Sequence, residues 1–143
     1  MTERKYQYTF AELIDRLSIV ILKSVFIPEN RDEYRKELLL IEYDLDLIAE
    51  EQFRIANFGR FVRAILVVML SNRYIWENEA SVRDDGGGFE RLRWTHAVNG
   101  IRATAKNIIA QRVGERVDLK IDCLAADLPK AMGNWNIFED FLK

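Results

Sequence analysis

From Tyr34 to Ile55 the apolar residues advance by alternating steps of four and three: Tyr34, Leu38, Ile41, Leu45, Ile48, then Gln52 and Ile55. The row lasts three heptads. It predicts a helix laid nearly parallel or antiparallel to a neighbour, since only a helical winding gathers those positions on one side. Asn30 with Glu33 supplies a capping box for its start. Opposite the row, Glu37, Glu42, Asp44, Asp46, Glu50 and Glu51 occur with no Lys or Arg between them. Acids late in a helix oppose its macrodipole. The helix is therefore expected either to continue or to have a basic surface alongside. An unbroken helix from Asn30 to Ser71 would measure about 63 Å at 1.5 Å per residue. A compact chain of this size has a radius of gyration of only about 14–15 Å. A break or kink is therefore predicted at "NFGR", residues 57–60, and "FVRAILVVML" beyond it, apolar nearly all round, reads as the central helix of the core.

An earlier helix begins at Thr9, which forms a capping box with Glu12. Phe10, Leu13, Leu17, Val20, Ser24 and Ile27 follow at helical spacing until Pro28 ends the run. The β-branched stretches "SIVIL" and "SVFI" would suit a strand. The cap and the Glu12/Arg16 pair at i, i+4 decide for helix. "VRDDGGGFE", residues 82–90, reads as a polar loop. "DLKIDCLAADLP" reads as a short last helix ending before Pro129, and "GNWNIFEDFLK" as an apolar tail that docks on the body or on a second subunit.

"WTHAVNGIRATAKN", residues 94–107, has a helical rhythm but holds Asn99-Gly100, a strong turn dipeptide, at its centre. A hairpin there would need alternating flanks, which "THAV" and "IRATA" lack. A helix from Phe89 to Val113, closed by Gly114, places Trp94, Val98, Ile101, Ala105 and Ile108 on one face. Ala97, Gly100 and Thr104 form a strip of small side chains beside it. Close approach of a neighbouring backbone there offsets the roughly 1 kcal/mol that Gly costs against Ala. A third strip, Thr95, Asn99, Arg102 and Lys106, is polar. From Gly86 to Arg116 there are six basic residues and two acids, which makes this helix the expected partner of the acidic face of residues 37–51. Two readings of the polar strip stand side by side. One is a charged seam between packed helices; the other is an anion site in which Asn99, Arg102 and Lys106, with Thr95 at the edge, bind a phosphate.

The composition suits one domain, residues 1–143. Hydrophobic residues make up 49% and charged residues 31% of the chain, a globular profile with enough material for a core. A net charge of -2 argues against a protein built to neutralise nucleic-acid backbones, and no aromatic-plus-basic module accompanies the basic helix. Cys123 is alone, which excludes an intramolecular disulfide. The start "MTERKYQYTF" lacks the apolar core of a signal peptide, and "AILVVML" is far short of the roughly 20 residues that cross a bilayer. The expectation is a soluble, cytoplasmic protein without a membrane partner.

Catalytic signals are sparse. His96 is the only histidine, so a Cys/His metal cluster and a Glu-x-x-His pair are both absent. An oxygen-ligand Mg²⁺ site could use Glu42, Asp46 and Glu50, aligned at i, i+4, i+8, or the pair Glu12 and Asp15. The triglycine at residues 86–88 lacks the Lys and Ser/Thr of a phosphate loop. Cys123 sits among apolar neighbours and reads as an inert thiol. Asp118, Lys120, Asp122 and Asp127 read as groups that cap or pair with the basic helix. Trp76, Trp94 and Trp135 read as core or interface anchors.

The row Glu42, Asp46, Glu50 resembles the carboxylate-bearing helices of all-α nucleotide pyrophosphohydrolases, in which acids hold Mg²⁺ against a pyrophosphate. The order of that family's motif, paired glutamates followed by Glu-x-x-Asp on the next helix, does not map onto this chain. "FAELIDRLSIV", "HAVNGIRATAKN" and "KIDCLAADL" resemble segments of small uncharacterised helical proteins of the tailed-phage and marine metagenomic type. That resemblance implies a phage-type intracellular protein and carries no catalytic residues.

Together these features predict an all-α bundle of four long helices with a short C-terminal helix and an apolar tail. The function expected is a non-enzymatic interaction or oligomerisation module, a homodimer without cofactor. The rival is a Mg²⁺-dependent enzyme or binder of phosphorylated small molecules, with Glu42, Asp46 and Glu50 on the metal and Arg102 and Lys106 on the phosphates. The rival requires the two rows to face one another.

Overall fold

A computed structural model of the chain describes residues 6–52, 55–85 and 88–117. The described residues are helical, without a strand: α1 (Phe10–Phe26), α2 (Arg31–Gln52), α3 (Phe58–Asp85) and α4 (Phe89–Arg112), with a 3₁₀ turn at Pro28–Asn30 between the first two. The segment from Asp118 to the C-terminus lies outside them, so the expected last helix, the tail, Cys123 and Trp135 have no structural account.

α1 starts where the cap predicts. The Thr9 N–H donates to Glu12 Oε2 at 2.8 Å, and the Glu12 N–H to Thr9 Oγ1 at 3.2 Å. Two orphan donors of the first turn are thereby satisfied reciprocally. Pro28 closes the run and opens the 3₁₀ turn instead. The β-branched stretches remain helical; of them Ser18, Val20 and Leu22 are buried, while Ile21, Val25 and Phe26 are exposed. The Glu12/Arg16 pair does not form as expected. Arg16 reaches across to Glu37 of α2, its Nε donating at 2.8 Å, while Glu12 turns back to the cap.

α2 lies along α1 through the heptad row. Tyr34, Leu38, Leu45 and Ile48 pack around buried Ile41, against Leu13, Leu17 and Val20. The described part of the helix reaches Gln52, and Ile55 lies outside a helix. Asn57, with φ 55°, turns the chain in the left-handed region that Asn tolerates, and α3 starts at Phe58. The break therefore falls at the expected place.

Two expectations are corrected. α3 is not the central helix. Phe61, Ala64, Val67 and Val68 are buried, but Phe58, Val62, Leu66 and Leu70 are exposed on its other side. The helix that packs on all three others is α1. Much of the loop expected at residues 82–90 is helical, because α3 continues to Asp85 and α4 begins at Phe89. Ala, Ser, Val and Arg there are no obstacle to a helix that has already nucleated.

α4 is unbroken through Asn99-Gly100. Val98, Ile101, Ala105 and Ile108 are buried as the stripe predicts, and Trp94 is half-buried. Ala97, Gly100 and Thr104 are buried too, in a helix whose largest contact is with α3. Gly100 is tolerated inside the helix although Gly costs roughly 1 kcal/mol against Ala there. The Thr104 hydroxyl donates to the Gly100 carbonyl at 3.0 Å. At the far end Gly114 takes φ 73°, its N–H donates to Gln111 O at 3.3 Å, and the Glu115 N–H donates to Ala110 O at 2.9 Å. That pair of bonds is a Schellman motif. A β-carbon at Gly114 would meet open space, so only the backbone conformation penalises a side chain. We predict that Gly114→Ala lowers unfolding free energy by about 1–2 kcal/mol, from the left-handed penalty alone. Thr9→Ala is predicted to lower it by about 1 kcal/mol through loss of the cap. Urea titration followed by circular dichroism checks both.

Candidate functional site

The polar residues of α4 turn inward, and one side chain of α3 receives them. Asn72 follows Val67 and Val68 by four to five residues, so the phase of α3 carries it into the core, where it is 4% exposed. Its Nδ2 donates to Asp15 Oδ1 at 2.7 Å and to Ser18 Oγ at 2.6 Å, both on α1. Its Oδ1 accepts from Arg102 Nη1 of α4 at 2.7 Å. Beside it Lys106 Nζ stands 3.1 Å from Asp15 Oδ2, the two side chains 28% and 13% exposed. Both amide hydrogens of Asn72 and one lone pair of its oxygen are used, and the carboxylate has a donor on each oxygen. A buried amide and a largely buried ion pair are stable only when satisfied in this way.

A second polar group closes the start of α1. Glu115 Oε2 accepts from the Phe10 N–H at 2.8 Å. Arg116 Nη2 donates to the Gln7 carbonyl at 2.6 Å and lies 3.4 Å from Glu12 Oε2, with its guanidinium 4.2 Å from the Tyr6 ring centroid. Carboxylates at a helix N-terminus are favoured by its macrodipole. Here the chain supplies them itself. A recess of about 430 Å³ opens between the two groups, with Thr9, Glu12, Lys106, Asn107 and Arg116 in its wall.

The four residues of the anticipated anion strip divide into two pairs. Arg102 and Lys106 belong to the inner group with Asn72 and Asp15. Thr95 and Asn99 line a separate recess of about 400 Å³ with Leu92, Arg93 and His96, and the Thr95 hydroxyl accepts a hydrogen bond from Asn78. Glu42, Asp46 and Glu50 stand exposed on α2, whose principal contact is α1. The acidic face is thus not what the basic helix meets. The acids that neutralise Lys106 and Arg116 are Asp15 and Glu12 of α1, because α1 lies between α2 and α4 in the packing. Among the described residues no group of three or more His, Cys, Asp or Glu is placed to hold a metal ion.

Asn72, Ser18 and Glu115 escaped the reading of the sequence. A signal for Asn72 existed: a polar residue at a core phase of an apolar helix needs partners. For Glu115 no local signal exists, since its contact spans 105 residues.

Ser71, next to Asn72, is fully buried and its Oγ has no hydrogen-bond partner among the described residues. The two neighbours therefore predict opposite outcomes. Asn72→Ala leaves Asp15, Ser18 and Arg102 short of a partner and is expected to cost about 1–3 kcal/mol. Ser71→Ala removes an unsatisfied hydroxyl and is expected to leave stability unchanged or to raise it by about 1 kcal/mol. Paired thermal melts check the contrast.

No family model, curated protein or solved structure matches the chain.

Proposed function

We propose that this chain is a non-enzymatic helical interaction module that works as a homodimer. The observation that carries this reading is the outer side of α3, where Phe58, Val62, Leu66 and Leu70 follow one another every fourth residue at 56%, 36%, 63% and 50% exposure. A matching row, Leu39, Tyr43 and Leu47 with Leu40 beside it, is exposed on α2. Isolated exposed apolar residues are ordinary, but continuous rows of them mark surfaces that associate. The four helices in this reading form a bundle around α1. The inner Lys106 supports the same reading, since its charge is already matched by Asp15, while Arg102 donates to the amide oxygen of Asn72.

No helix among the described residues is long and apolar enough to cross a membrane. A cytoplasmic location and a phage-type source belong to the same proposal, as does the absence of a cofactor. Sedimentation equilibrium over a concentration series tests it. The proposal predicts a mass that rises to twice the chain mass by high micromolar concentration. A mass that stays at that of one chain would defeat it.

A further inference from the structure

Asp44, Leu47, Ile48 and Glu51 of α2 line a recess of about 570 Å³ together with Tyr6 and Tyr8 of the segment before α1. Counted from Asp44 the other three lie three, four and seven residues on, which gathers them on one side of the helix. The two acids stand at the ends of that run, about 10 Å apart along the axis, with the aliphatic pair between them. Leu13, buried in α1, adds to the apolar part of the wall. Of the six acids from Glu37 to Glu51, only Glu37 is engaged by a base among the described residues, through Arg16 of α1. Asp44 and Glu51 are exposed, as is Tyr8. The other tyrosine already holds a cation: the Arg116 guanidinium lies 4.2 Å from the Tyr6 ring centroid and 3.4 Å from Glu12 Oε2. That cation is matched by Glu12, and it leaves the acids of the recess uncompensated.

We infer that this recess binds an organic dication, with two ammonium groups about 10 Å apart on an aliphatic stem. The inference goes beyond the homodimer reading and does not rest on it. Each chemical part of such a ligand has a counterpart. One carboxylate at each end takes an ammonium group, Leu47 and Ile48 between them take the stem, and the Tyr8 ring adds the attraction of an aromatic face for a cation. The volume is that of a small-molecule site. Other ligand classes fit less well. A single metal ion draws its oxygen ligands to within about 2.0–2.6 Å of itself, and acids two helical turns apart cannot both reach it. An anion is repelled by the acids of this end of α2. The same acids concentrate cations near the recess before any contact is made.

Calorimetric titration of the full chain with spermidine, a linear polyamine, tests the inference at about 0.15 M salt, where distant surface charges are screened. One molecule is expected to bind per chain. Ethylenediamine, whose two ammonium groups are too close together to reach both carboxylates, is expected to bind at least about tenfold more weakly. Asp44→Asn combined with Glu51→Gln is expected to weaken spermidine binding at least about tenfold. Glu42→Gln combined with Asp46→Asn makes the same change of charge outside the recess and is expected to weaken it by less than about threefold. Tyr8→Leu is expected to cost about threefold, and Tyr8→Phe to keep the affinity. Circular dichroism melts confirm that each variant is folded. Tetralysine offers the same ammonium groups on a peptide: tighter binding of tetralysine would assign the dication to a partner chain, and tighter binding of spermidine to a free polyamine. If neither binds, if ethylenediamine binds as well as spermidine, or if the two double variants lose affinity equally, the recess is not a dication site.

Discussion

One side-chain amide holds three helices together. Asn72 of α3, itself buried, donates to Asp15 and Ser18 of α1 and accepts from Arg102 of α4. Rotation or sliding of any of the three helices would break at least one of those bonds and leave a buried polar group unpaired, which is costly. The apolar packing of Phe10, Phe61, Val68, Ile101 and Ile109 supplies the bulk of the burial but is indifferent to small shifts. The amide is not. It determines which faces of α1, α3 and α4 turn inward, and therefore which rows are left outside.

That division separates two electrostatic regimes. Inside, charge is matched locally: Lys106 with Asp15, Arg116 with Glu12, and Glu115 with the first backbone N–H of α1. Outside, it is segregated, with acids alone along the later part of α2 and no ion pair among the described residues engaging them. Such segregation contributes nothing to the packing of a single chain and weakens it slightly through repulsion.

The helices themselves were legible because their signals are local. Thr9 and Glu12 announce a start, Gly114 an end, and the spacing around Asn99-Gly100 identifies a helix in spite of the dipeptide. Long-range partners were less legible. Arg16 had Glu12 within helical reach yet takes Glu37, and Glu12 is claimed by the cap and Arg116. Nothing in the order of residues ranks such rivals, since side-chain reach after packing decides. The central position went to α1 and not to the more apolar α3 for a related reason. Hydrophobicity all round a helix announces burial, but burial by another molecule has the same signature as burial in a core. The metal and anion candidates were aligned correctly along their helices, but alignment does not say what lies opposite. Glu42, Asp46 and Glu50 look outward, while Arg102 and Lys106 look toward α1 and α3.

In the proposed homodimer the inner polar group is structural and the exposed apolar rows of α2 and α3 meet another copy. Backbone amide NMR spectra recorded from dilute to concentrated solution address both halves at once. The account predicts concentration-dependent shifts in residues 39–51 of α2 and 58–73 of α3 together, with Asp15, Ser18, Arg102 and Lys106 unmoved. Shifts confined to α4, or none in either outer row, would contradict it.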